Sequence, residues 1–82
     1  DLRGANLSGT YFQQADFSHA NLSGANLSKA NLEEVNLSGA ILRGANLTEA
    51  NLVCAEGDGA VWDGACLDGA VVAGGILEAL QN

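Results

Sequence analysis

Residues 20–32 read Ala20-Asn21-Leu22-Ser23-Gly24-Ala25-Asn26-Leu27-Ser28-Lys29-Ala30-Asn31-Leu32. A leucine returns every fifth residue, an alanine stands two places before it, and an asparagine lies between them. The same spacing extends back through Phe17, Phe12, Leu7 and Leu2 and forward through Leu37, Leu42, Leu47 and Leu52. Beyond Leu52 it continues through Trp62, Leu67, Val72 and Leu77, with a single gap at Gly57. The small series runs beside it, as Ala5, Thr10, Ala15, Ala20, Ala25, Ala30, Val35, Ala40, Ala45, Ala50, Ala55, Ala60, Ala65 and Ala70. One fixed repeat therefore spans nearly the whole chain.

A period of five suits neither regular element. On a helix each step would rotate the leucine by roughly 140° and smear the series around the axis. On a straight strand an odd period would place alternate leucines on opposite faces, half of them in water. A chain that turns a corner every five residues buries all of them, each short side directing one large and one small residue inward. The glycines carry an independent signal of the same phase. Gly4, Gly9, Gly24, Gly39, Gly44, Gly59, Gly64, Gly69 and Gly74 all lie two places after a central residue, where a tight turn calls for positive φ. The asparagines at 6, 21, 26, 31, 36, 46 and 51, with Asp16 and Glu56 as charged variants, are expected to point outward and to bond one another in columns.

With Ala-Asn-Leu-Ser-Gly at 5–9 and 20–24, Ala-Asn-Leu-Ser-Lys at 25–29 and Ala-Asn-Leu-Thr-Glu at 45–49, the chain resembles the pentapeptide-repeat proteins. That resemblance implies an all-β fold, a right-handed quadrilateral β-helix (a solenoid of pentapeptide repeats) with four five-residue sides per coil and about four coils in this chain. The period alone does not set the number of sides. The implied domain is a single one over 1–82, with repeat register over 1–74 and a short helical cap at the C-terminus over 75–82. In it Leu22, Leu27, Leu32, Leu37, Leu42, Leu47, Leu52 and Trp62 form the structural core. Trp62 is expected to lean into the space left by Gly57, because packed interiors leave no side-chain-sized void. Across coils, Arg43 is expected to pair with Asp63 and Lys29 with Glu49, each exposed pair contributing about 0–1 kcal/mol.

Composition bounds the function. The chain has 82 residues, 10 acidic and 3 basic side chains, and a net charge of -7. That is one small domain, and its charge repels phosphates, which argues against direct nucleic-acid or anionic-membrane binding. The acids are unevenly placed: Glu49, Glu56, Asp58, Asp63, Asp68 and Glu78 fall after residue 48 with no Lys or Arg among them, whereas Asp1, Asp16, Glu33 and Glu34 face Arg3, Lys29 and Arg43 before it. Glu56, Asp58, Asp63 and Asp68 are the candidate patch for a protein partner. The absence of Met and of a charged-then-apolar leader points to a trimmed or excised segment that continues upstream of Asp1. No signal or membrane-spanning segment is visible, which favours the cytoplasm. The start lies in full repeat register without a cap, so self-association through an uncapped coil end is also expected.

Catalytic, cofactor and metal sites are not expected. His19 is the only histidine and sits at a corner without a cleft. Cys54 and Cys66 match no zinc or redox spacing and read as two free thiols. The Asp58-Gly-Ala, Asp63-Gly-Ala, Asp68-Gly-Ala run resembles a calcium repeat in composition, but a five-residue step carries each carboxylate to a different side. The expected function is a non-catalytic structural and protein-interaction module. The alternative, carried by the resemblance, is an acidic DNA mimic that binds DNA gyrase. The net charge of -7 suits it, but duplex DNA carries roughly 12 charges over 20 Å. A left-handed β-helix acyltransferase does not fit, since its repeats run in sixes.

Overall fold

In the computed structural model, residues 1–76 and Leu80 are described. The chain turns at every fifth residue, and φ is positive, between 58° and 80°, at each fifth position from Gly4 to Gly74. The turn is closed by a backbone bond from the residue after that position to the central one, as in Ala25 N–H to Leu22 O at 3.0 Å. Successive tiers of chain, twenty residues apart, pair in parallel through isolated bridges such as Asn6 with Asn26, Asn26 with Asn46 and Asn46 with Cys66.

The pentad Leu27–Asn31 shows where the backbone donors go. Leu27 N–H bonds Asn46 O at 2.7 Å and Lys29 N–H bonds Thr48 O at 2.8 Å, both in the following tier. Ala30 N–H closes the turn on Leu27 O at 3.1 Å, and Asn31 N–H reaches back to Thr10 O at 2.9 Å in the preceding tier. The remaining donor, Ser28 N–H, bonds the Asn26 side-chain Oδ1 at 3.0 Å. Every donor of the pentad is matched, as a chain packed this closely requires.

The expected right-handed quadrilateral β-helix solenoid of about four coils is corrected. Regular strand is confined to β1 (Asn51–Val53) and β2 (Val71–Ala73), one parallel pair in register Asn51 with Val71, Leu52 with Val72 and Val53 with Ala73. These form a two-stranded sheet that does not close on itself, and among the described residues only Ile76 and Leu80 have helical backbone. A turn every five residues limits most sides to a single bridge, so turns rather than sheet walls make up the fold. A consecutive ladder forms only where Val53, Val71 and Val72 supply β-branched side chains suited to extended backbone. The helical cap expected over 75–82 falls for the most part outside the described residues. Of that stretch, Ile76 is buried and Leu80 packs partly against the core.

The core runs through the middle of the described chain. Leu22, Leu27, Leu32, Leu37, Leu42, Leu47 and Leu52 are all 0% exposed, together with Ala25, Ala30, Val35, Ala40, Ala50 and Ala55. Leu2, Leu7, Phe12 and Phe17 lie partly buried against it, and the two phenylalanine rings meet edge to face at 5.1 Å. Trp62 is half-buried against the core, and its indole Nε1 is shielded from solvent without an acceptor. Ile76 stands in the register position of Asp16, Asn36 and Glu56, yet it is fully buried. The outward role of that register position is lost there.

Candidate functional site

Among the described residues the interior is filled with apolar side chains, which leaves the exposed surface for recognition. Among the described residues there is no pocket and no group of three or more His, Cys, Asp or Glu side chains able to hold a metal ion. No described helix is long and apolar enough to cross a membrane.

The asparagine column has a local task rather than the expected one. Among the described residues no asparagine amide bonds another. Each accepts instead from the backbone two residues on: Asn6 from Ser8, Asn21 from Ser23, Asn26 from Ser28, Asn31 from Glu33, Asn36 from Ser38, Asn46 from Thr48 and Asn51 from Val53, at 3.0–3.2 Å. The expected amide ladder is therefore corrected, since the nearest unmatched donor lies within the same pentad and costs no side-chain extension to reach. The hydroxyls of Ser23, Ser28 and Thr48 add a second bond to the same oxygens at 2.6–2.7 Å. Asn26→Ala is expected to destabilise the chain by about 1 kcal/mol, because the partly buried Ser28 N–H loses its acceptor. Urea denaturation would measure it, and Asn26→Asp, which keeps an acceptor oxygen, should lose less.

Asp16 takes the same place with a titratable group. The Ser18 hydroxyl and the Ser18 N–H, the latter at 2.9 Å, hold its carboxyl below the ordinary value of 3.8, and nearby His19 adds to the lowering. Both bonds favour the ionised form. The folded pKa is depressed, so this contribution to stability is present above pH 3.8 and is lost as pH falls through the folded value. Asp16→Asn retains the acceptor and removes the titration, so its thermal midpoint should fall less steeply on acidification below pH 4 than that of the parent chain.

The corners are not all glycine. Gln14, His19, Lys29, Glu34, Glu49 and Cys54 adopt the same positive φ, near 60°, as the glycines. A left-handed conformation costs an L-residue roughly 1–2 kcal/mol. The five-residue register would have located them in the sequence, since each lies two places after a central residue. At Gly64 an added β-carbon would meet Gly44 atoms only at 3.7–3.8 Å, so its φ of +73° rather than lack of room favours glycine. Gly39 is different: a β-carbon there would fall 2.5 Å from His19 Nδ1, whose ring lies across it.

Glu56, Asp58, Asp63 and Asp68 are all exposed. The aspartates occupy the first turn residue of three successive pentads, and the structure does not gather the four into one metal-binding group. Neither expected cross-tier ion pair forms: among the described residues the only one joins Arg3 to Asp1 at 2.7 Å. Long exposed side chains gain too little from pairing in water to be held in one geometry, whereas Arg3 and Asp1 are brought together by a single turn. Cys54 and Cys66 are free thiols, Cys54 exposed and Cys66 within 3.4 Å of the Thr48 hydroxyl. Among the described residues His19 joins no group able to hold a metal ion, and its charge acts on nearby Asp16.

A family model described as pentapeptide repeats, in 8 copies, matches residues 1–39, 30–60 and 40–77. The chain belongs to the pentapeptide-repeat family. Among solved structures it is similar to a pentapeptide repeat protein of the Arabidopsis thaliana thylakoid lumen, at 30% identity and a TM-score of 0.81, over 84% of this chain and 48% of that one. HetL, a pentapeptide repeat protein involved in heterocyst differentiation regulation in the cyanobacterium Nostoc sp. strain PCC 7120, is 37% identical with a TM-score of 0.61, over 90% of this chain and 39% of HetL. A further pentapeptide repeat protein of Nostoc is 31% identical with a TM-score of 0.53, over 95% of this chain and 75% of that one. The chain thus spans about half or less of the first two. No curated protein matches it in sequence.

Proposed function

We propose that the chain is a non-catalytic protein-binding module in which the interior sets the shape and the exposed acids Glu56, Asp58, Asp63 and Asp68 face a basic partner. The observation that carries this reading is the allocation of the polar groups. The backbone donors of a central pentad are consumed in holding tier to tier, and the core side chains are apolar, so chemical variety is left to the outward positions. The charge imbalance after residue 48 then makes the acidic end the distinctive part of that surface. The role of HetL in regulating heterocyst differentiation supports a regulatory use of the same repeat.

The DNA-mimic alternative is the weaker reading. The chain measures 26 Å at its longest, a length over which duplex DNA carries about 15 charges, against a net -7 here.

The test is capture of partners on immobilised chain, compared with the Asp58→Asn, Asp63→Asn, Asp68→Asn triple variant. Because all three side chains are exposed, the variant should keep the parent's thermal midpoint while losing a salt-sensitive basic partner at least tenfold in affinity. Retention of the same partner by the variant would overturn the assignment of the acidic surface. A reproducible hydrolytic or transferase activity abolished by a point substitution would overturn the non-catalytic reading.

A further inference from the structure

We draw no further inference here: the strongest candidate, the outer edge of the first tier, where the N–H groups of Asn6, Tyr11 and Asp16 have no partner among the described residues and Leu2, Leu7, Phe12 and Phe17 are only half-buried, carries nothing because nothing in the structure shows what covers it.

Discussion

Leu37→Ala is expected to lower the unfolding free energy by about 3–5 kcal/mol, towards the upper end for a buried leucine. Leu37 is 0% exposed and shares its register position with Phe17 in the preceding tier and Gly57 in the following one. Gly57 has no side chain to move into the space, and the backbone around Leu37 is tied on both sides: Leu37 N–H to Glu56 O at 2.7 Å and Asn36 N–H to Ala15 O at 2.9 Å. The cavity therefore cannot collapse without breaking bonds between tiers. An 82-residue chain has a total stability of about 4–12 kcal/mol, so this one truncation removes a large part of it. Leu2→Ala, at a half-buried site, should cost far less. Urea denaturation followed by circular dichroism separates the two, and equal midpoints would contradict a closed interior at Leu37.

The second large effect is at a small inward residue. Ala40→Asp is expected to leave the chain unfolded at pH 7, because Ala40 is 0% exposed and its surroundings are apolar. An unpaired carboxylate there would be driven towards its neutral form, with a folded pKa above the unfolded value. Its penalty is therefore largest at neutral pH and shrinks as pH falls through that raised value. Circular dichroism from pH 7 to pH 4 should show folded signal returning on acidification, the opposite direction to the parent chain. Ala40→Val isolates size from charge. Overpacking costs about 1–3 kcal/mol, and Val35, also 0% exposed in the same small series, demonstrates that a branched side chain can be housed at such a position.

These two residues also mark how far the sequence could be read. Leu37 and Ala40 were identifiable as interior from spacing alone, because a five-residue repeat can bury its large and small members only by turning a corner each time. The glycine phase located the corners, and the same phase would have picked out Gln14, His19 and Lys29 as left-handed residues. The asparagines were a different matter. Spacing placed Asn26 between Ala25 and Leu27, but an outward amide has several partners in reach, and only the path of the backbone shows the Ser28 N–H lying nearest. Arg43 with Asp63 and Lys29 with Glu49 failed for a related reason: sharing a register position does not determine the rotamers of long solvated side chains. Ile76 was hidden because its register position is outward wherever the repeat persists. The candidate acidic surface could be read from sequence as a charge imbalance. Its dispersal over successive turns, with no common metal-binding group, is a property of the tiers.

By itself the sequence determined the phase: which residues face inward, where the chain bends and which end is acidic, since each follows from a strict period that local sterics and burial must obey. The tertiary structure decided the partners. It set the twenty-residue offset between bonded tiers, confined the regular ladder to β1 and β2, and turned Ile76 into the core. Those outcomes depend on distances between segments far apart in the chain, and a repeat whose every unit looks alike contains no local signal that distinguishes one pairing offset from another.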